Sequence, residues 1–568
     1  MKTEAYSILT PQGGEVSYKN LSPVTIHDLG IDAFVKTVSQ KPDEQKLLQS
    51  VLSAMTDEPH VTAYRSGVFK DVYDHPEMCE ALMKILDRID FLKSYHFRHD
   101  YEEKASIWSM MHRLEDIRDY ITCVEGIHTC LSDVDLKSEG LTGLREYVRT
   151  IYEDHGFQEL KQDIDGLNAT TDNLKSVTVG VNLNTRFEAE SIGIISVNSK
   201  PFTHAPIVGS FVDKVSHKDQ IEEEAGWNGS YKYHPFNMGN AKFLDFMNKG
   251  GKMAAIASGP LYALNTLATV PDNDFASEML RGVDKQLGHV LSLSTRKLRE
   301  VLDRYVNVTI TDMTNLIPEF LYYILFADFV RKEEAEGFTF TMPEALTDGD
   351  RDFRARGIFN LKLLGTVETG EIVRNDFTFD ENHRVFILTG ANRGGKTTIT
   401  QAVGQYFVLA QGGISVPGES FTFCPVDNIL THFPADEDKT LDLGRLGEEC
   451  KRFREMYGEA TRNSLLLLNE TFSTTSFEEG YYIAKDSVKA ILRKGIRTIY
   501  NTHMHKLGYE IDELNAGETD GKAASLIVET KDGVRSFKVK LALPEGSSYA
   551  KDIAEKYGVT YEMLKNMD

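Results

Sequence analysis

Long apolar runs are missing from this chain of 568 residues, and none approaches the roughly 18 residues that a membrane-spanning helix needs. A membrane partner is therefore not expected. The opening residues, MKTEAYSILTPQGGEV, hold neither a basic stretch nor an apolar one, so no secretory leader is expected either. Cysteine is scarce: Cys79, Cys123, Cys130, Cys424 and Cys450 form no CxxC pair and no metal-binding spacing. An odd, scattered set points to reduced thiols and a cytoplasmic location. The 16 histidines contain no HExxH or comparable cluster, which leaves a His-Cys zinc site without support. Basic charge is also short, with 63 Lys and Arg against 86 Asp and Glu and a net charge of −23. That imbalance removes whole-molecule electrostatic support for nucleic-acid binding, although it leaves room for a local basic stripe. Repeats and long low-complexity tracts are absent. A hydrophobic content of 41% and a charged content of 26% describe an ordinary globular protein. The length suits about three or four domains.

Against these absences stands residues 384–398, RVFILTGANRGGKTT. An apolar, β-rich run (Val385–Leu388) leads into Gly390-Ala391-Asn392-Arg393-Gly394-Gly395-Lys396-Thr397, which fits GxxxxGK[ST]. A helix-compatible stretch follows, with Ile399, Ala402, Val403, Tyr406 and Phe407 on one side. Strand, glycine-rich loop and helix in this order make a phosphate cradle. Backbone N–H groups turn inward at the phosphate oxygens, and the helix N-terminus adds positive partial charge. Lys396 would reach the terminal phosphates and the Thr397 hydroxyl would sit on Mg²⁺. Gly390 to Thr398 are thus the expected ATP-binding residues.

Downstream, Ser464-Leu-Leu-Leu-Leu468-Asn469-Glu470 is a buried-strand pattern ending in polar residues. Nucleotide hydrolases place there a strand ending in Asp-Glu, the first holding Mg²⁺ and the second polarising the attacking water. Here Asn469 stands first and Glu470 second. A Ser/Thr-rich segment (471–476), a helical run and the strand-like Thr498-Ile-Tyr-Asn-Thr-His503 follow. His503 at such a strand end can hydrogen-bond a γ-phosphate or order the water. The expected catalytic residues are Glu470 and His503, and the expected metal ligands are Thr397, Asn469 and Glu470.

Elsewhere the chain reads as a small mixed unit over 1–90, a plain structural cap on the core. Helical patterns follow over 91–335, interrupted by a strand-rich region at about 175–272, and an α/β segment occupies 340–568. Ile107, Met111, Leu114, Ile117, Ile121 and Val124 recur at spacings of three and four, an apolar helix stripe. Residues 175–199 alternate and are rich in Val, Ile and Thr, suggesting two or three strands. A second long helix pattern covers about 274–305 and a further apolar stretch 317–330. The periodicity fits an arm that leaves the body and returns, and equally an ordinary helical bundle.

Taken in order, GANRGGKTT, LLLLNE, the Ser/Thr-rich segment and NTH resemble the ATPase domain of the MutS family, an ABC-type nucleotide-binding domain used in DNA mismatch repair. Gly413-Ile-Ser-Val-Pro417, Pro425-Val-Asp-Asn-Ile429, the acidic Asp436-Glu-Asp438 and the closing Gly546–Ala554 agree. The resemblance is specific over about 355–560. It is weaker over about 90–335, where it suggests a helical core and lever, with SVTVGVNLNTRF running toward a DNA clamp. The implied fold is multidomain, a long-helix core and lever followed by a C-terminal α/β ABC-type P-loop ATPase domain. The resemblance also implies a homodimer with facing ATPase domains, ATP and Mg²⁺ as cofactors, and DNA as a partner. Ligand roles then fall to Asn392, Lys396, Thr397 and the loop backbone, water activation to Glu470 and phosphate sensing to His503.

Three departures qualify the match. Asn469 replaces an aspartate, so Mg²⁺ should be held more weakly and hydrolysis slowed. Leu446-Gly447, within Leu443–Glu448, stands where the family carries a Ser-Thr pair. No Phe-x-Glu mismatch-reading motif is found in an N-terminal domain, the Phe477-Glu478-Glu479 run lying inside the expected ATPase domain, and a nuclease module is not expected. Lys214, His217, Lys218, Lys232 and His234 are scattered among Asp213, Asp219 and Glu222–Glu224, a mixed pattern typical of a solvated face. The leading expectation is an ATP-hydrolysing MutS-like protein that dimerises through its ATPase domains and couples nucleotide state to DNA binding without mismatch recognition. The alternative is a slow or non-hydrolysing, nucleotide-gated scaffold acting on a protein or ribosomal partner. A transporter-type ATPase subunit fits poorly, since nothing in the chain addresses a membrane.

Overall fold

The structure, a computed structural model, describes residues 6–85, 107–171, 176–183, 189–198, 236–237, 316–346, 352–380, 382–390, 394–434, 444–517, 519–531, 534–544 and 557–565, with positions 185 and 301. The second long-helix pattern (274–305, apart from 301) and the mixed charges from Asp213 to His234 lie outside the described residues, as do Asp436–Asp438 and Gly546–Ala554. The chain separates into two compact units. One holds Met1–Ala81, Asp133–Glu146 and Asn315–Asp568; the other holds Leu82–Ser132 and Tyr147–Thr314.

In the first unit the N-terminal residues form α1 (Pro23–Leu29), α2 (Ile31–Val38), α3 (Pro42–Ser53) and α4 (Pro59–Asp74). α1, α3 and α4 open with proline, whose missing N–H leaves no helical bond unmade in the first turn. The two-residue strands β1 (Lys19–Asn20) and β2 (Ala54–Met55) pair antiparallel, and residues 6–18 form neither helix nor strand. The regular structure over 6–81 is thus mainly helical, and these residues fall in one compact unit with 315–568.

The second unit contains α5 (Ile107–Ser132), the C-terminal half of α6 (Glu139–Glu153), from Tyr147 onward, and α7 (His155–Thr171), then β3 (Ser176–Leu183), β4 (Ala189–Asn198) and β5 (Phe236–Asn237). Leu114, Ile117, Ile121 and Val124 of the expected stripe are buried, as are Ile127 and Leu131, while the side chains of Ile107 and Met111 lie outside the described ones. β3 and β4 pair antiparallel, and β5 adds to β4.

From residue 316 onward the first unit continues. α8 (Leu316–Ala335) is followed by β6 (Phe340–Thr341), β7 (Glu344–Ala345), β8 (Phe353–Ile358), β9 (Asn375–Phe379) and β10 (Val385–Thr389). Next come α9 (Lys396–Gln411), β11 (Val416–Pro417), β12 (Ser420–Phe423), β13 (Ile429–His432) and α10 (Gly444–Glu459). β14 (Leu465–Asn469), α11 (Phe477–Lys494), β15 (Arg497–Asn501), α12 (His505–Tyr509), α13 (Ile511–Leu514), β16 (Ala523–Lys531) and β17 (Val534–Leu541) complete it. The main sheet has the order β13-β14-β15-β10-β16-β17, parallel except for the last pair. Every residue of β10, β13, β14 and β15 is buried, and β10 and β14 accordingly read as near-continuous apolar runs rather than alternations. β7, β12, β8 and β9 form a separate, mainly antiparallel sheet.

α9 departs from the one-sided pattern. Besides Ile399, Ala402, Val403, Tyr406 and Phe407, its Thr400, Gln405 and Val408–Gln411 are buried too. The N-terminal helices cover the face that the pattern leaves for water. Gln401 Nε2 donates to Asp28 O at 2.6 Å, Gln405 Nε2 to Leu29 O at 2.8 Å, and Gln411 Nε2 to Thr56 O at 2.8 Å. Among the described residues no helix is long and apolar enough to cross a membrane.

Candidate active site

The C-terminal ends of neighbouring parallel strands are where α/β sheets gather ligand groups, and here β10, β15 and β14 lie side by side. β10 delivers Gly390. Its φ of +142° suits glycine, and a Cβ there would come within 3.2 Å of Val528. Ala391, Asn392 and Arg393 lie outside the described residues. Gly395 (φ +92°) caps the N-terminus of α9, whose first residues are Lys396, Thr397 and Thr398. Lys396 folds back across the loop, Nζ donating to Gly390 O at 3.0 Å. Burial draws its pKa down, and the charge of Glu470 opposes that shift.

β14 ends at Asn469, the register partner of Asn501 at the end of β15. The Thr397 hydroxyl donates to Asn469 Oδ1 at 3.1 Å, and Asn501 Nδ2 donates to the same oxygen. Glu470 follows in the left-handed region at φ +53°, as does Phe472 at φ +63°. For residues with a Cβ such backbone costs on the order of 1–3 kcal/mol and persists where surroundings impose it. Two restraints are visible: Glu470 N–H donates to Asn501 O at 2.8 Å, and Tyr500 Oη donates to Thr471 O at 2.9 Å. His503, just past β15, meets Glu470, with Nε2 2.6 Å from Oε1. That hydrogen bond is the main influence holding the Glu470 carboxyl below its ordinary pKa. Partial burial pushes the other way, and the charges of His503 and Lys396 add to the lowering.

A cavity of ≈ 470 Å³ opens beside these groups. Gly394 to Ile399 and Glu470 form its polar side, and Phe359, Leu363, Ile372, Val373 and Phe537 an apolar wall. Asn360 ties the wall to the helix, its Nδ2 donating to Thr398 O at 2.9 Å. A cavity with convergent polar groups at one end and an apolar wall at the other suits a molecule with a charged tail and a flat apolar head. The wall is not legible in the sequence, because residues 359–373 follow neither helical nor alternating spacing. The donors around Thr397 are hard oxygens with a single carboxylate, the chemistry Mg²⁺ takes.

Sequence reasoning also missed His432, at the end of β13. It is buried, with Nδ1 3.1 Å from Thr471 Oγ1 and Nε2 3.3 Å from Glu449 O of α10. Burial, seconded by the charge of Arg452, pulls its pKa down to about 4. It joins the residue after Glu470 to the helix that begins with the altered signature segment. Leu443 lies outside the described residues, while Gly444–Gly447 open α10 and Leu446 packs on the hydrophobic core.

Residues 386–566 match the family described as MutS domain V, and residues 57–204 match the MutS2 N-terminal domain. The chain is 29% identical over 198 residues to endonuclease MutS2 of Thermus thermophilus, covering 35% of this chain and 26% of that protein. It is 30% identical over 204 residues to DNA mismatch repair protein MutS of Chlorobium chlorochromatii, covering 36% and 23%. The corresponding MutS of Halothermothrix orenii is 31% identical over 199 residues, covering 34% and 22%. The chain thus spans about a quarter of the length of these relatives. Carrying MutS domain V behind a MutS2 N-terminal domain, the chain belongs to the MutS family.

Proposed function

We propose that this chain binds ATP with Mg²⁺ in the loop after β10 and hydrolyses it, dimerising through its ATPase domains and coupling nucleotide state to DNA binding without reading mismatches. The observation that carries the reading is the meeting of Lys396, Thr397, Asn469, Glu470 and His503, which lie 107 positions apart at their extremes, around one set of strand ends. Phosphoryl transfer needs positioning and charge neutralisation more than covalent chemistry. Lys396 exchanges Gly390 O for phosphate oxygens, and the apolar wall takes the base. Mg²⁺, held by Thr397 and Asn469 with Glu470 nearby, would supply the remaining positive charge. Glu470, kept ionised by His503, orders and polarises the attacking water, and His503 turns to the phosphate. The link to DNA is supported by the relatives, which are named for mismatch repair and endonuclease action. No disulfide joins the five cysteines, all of them among the described residues, and we read the setting as cytoplasmic.

Turnover and DNA affinity test this together. Mg²⁺-dependent hydrolysis that responds to DNA and stops in Glu470→Gln supports the reading. Absence of any DNA binding at low salt, with or without ATP, overturns its DNA half, since phosphate contacts are strongest there.

A second reading has an observation of its own. The metal side of the site is built from two neutral amides, Asn469 and Asn501, on a chain of net charge −23. Such a site suits ATP held long and hydrolysed slowly, with a protein or ribonucleoprotein as the gated partner. Negligible wild-type turnover that Asn469→Asp restores would favour it over the first.

A further inference from the structure

We infer that Asn501 is a positioning residue that fixes the amide of Asn469 with its oxygen toward Thr397, so that a neutral Asn–Asn pair does the accepting work of a carboxylate. The inference rests on the nucleotide reading above and adds to it a residue outside the expected site.

The geometry is specific. Asn469 and Asn501 are register partners on adjacent parallel strands, 7% and 0% exposed. Asn469 Oδ1 receives two donors, the Asn501 Nδ2 amide and the Thr397 hydroxyl. Asn501 Nδ2 also donates to Thr397 Oγ1, at 3.4 Å. Asn501 Oδ1 has no hydrogen-bond partner among the described groups, so its NH₂ end alone ties this side chain into the cluster.

Asparagine differs from aspartate in having two unlike ends. A carboxylate accepts from Thr397 whichever way it turns, whereas an amide turned round presents a donor. With Asn469 reversed, its NH₂ would spend a lone pair of Thr397 Oγ1, the atom expected to face the metal. With the observed orientation, the hydroxyl hydrogen points at Asn469, the long bond from Asn501 Nδ2 takes one lone pair of Thr397 Oγ1, and the other stays open. Asn501 enforces that choice, because its NH₂ can meet only the oxygen end of its neighbour. Reversing Asn501 instead would set two carbonyl oxygens against each other in a buried site, where unmatched polar groups are expensive.

The experiment follows fluorescent ATP-analogue binding by the full chain against Mg²⁺ concentration, and again in EDTA. Asn501→Leu and Asn501→Ala are each made beside Asn469 and beside Asn469→Asp. Loss of one orienting hydrogen bond should raise the Mg²⁺ needed for half-maximal binding by about five-fold beside Asn469. Beside Asn469→Asp the same changes should move it less than about two-fold, because a carboxylate needs no orienting. Binding in EDTA should hold steady in both backgrounds. Equal shifts in the two backgrounds, an unchanged Mg²⁺ requirement, or an equal loss in EDTA overturns the inference, and either substitution suffices if the other fails to fold. Absence of nucleotide binding by the wild-type chain, with and without Mg²⁺, overturns the nucleotide reading and the inference with it.

Discussion

Glu470 combines left-handed backbone, a 2.6 Å contact with His503 and a place on the cavity wall. A carboxylate held this way orders water through its charge and through an acceptor oxygen, and both weaken in the amide. Glu470→Gln should therefore lower ATP turnover by about a hundred-fold or more while leaving nucleotide binding near wild type. Single-turnover hydrolysis beside equilibrium binding would separate the two effects, and a matching loss of affinity would count against the assigned role. His432 makes a prediction of another kind. Its pKa is near 4 in the folded chain and near 6.5 in a free histidine. Above pH 6.5 neither state is protonated and stability is flat. Between pH 6.5 and 4 the unfolded chain takes up a proton that the folded chain refuses, so stability falls by up to about 3 kcal/mol. Below pH 4 the loss goes no further. Denaturation midpoints across that window should slope less in His432→Asn than in wild type.

At the scale of elements, the sheet was readable where strands are buried on both faces. Val385–Leu388 and Leu465–Leu468 could hardly be anything but central strands, and the motif residues at their ends came with them. The order β13-β14-β15-β10-β16-β17 was not readable, because pairing between distant strands leaves no mark in local spacing. α9 shows a second limit. Its Gln401, Gln405 and Gln411 look like solvent positions by composition, yet each donates to a backbone carbonyl of the N-terminal segment. Asn501, at the end of β15, is likewise unmarked by local spacing, since its bearing on Asn469 comes from the pairing of two distant strands. Gln405 allows a test of the buried arrangement. It is fully buried, donates to Leu29 O at 2.8 Å and accepts from Leu361 N–H at 2.9 Å. Gln405→Leu keeps the volume but strands both backbone groups, which should reduce unfolding free energy by about 3 kcal/mol. A change within about 0.5 kcal/mol, the range typical of surface sites, would show that the position is not buried as described.

For the molecule as a whole, the N-terminal residues belong to one compact unit with the α/β segment and pack directly on α9. Lys19 Nζ lies 2.6 Å from Asp427 Oδ2, and Arg65 donates to Gln411 O at 3.0 Å and to Leu9 O at 2.8 Å. Packing is equally close. A Cβ on Gly404 would come within 2.6 Å of Leu29, and one on Gly413 within 2.3 Å of Arg65. Removing the first 81 residues would leave the three glutamine amides of α9 and the Gln411 carbonyl without these partners, and would bare the helix that carries Lys396 and Thr397. Each such loss is on the order of 1–3 kcal/mol where the group stays buried, and together they rival the roughly 5–15 kcal/mol that holds a typical domain folded. A chain shortened to residues 316–568 should therefore lose cooperative unfolding and nucleotide binding together. Adding residues 1–85 as a separate polypeptide should restore part of both, since the contacts are non-covalent. Calorimetry and fluorescent-nucleotide titration would decide it. A shortened chain that melts sharply and binds the nucleotide with undiminished affinity would show that residues 6–81 are dispensable to both.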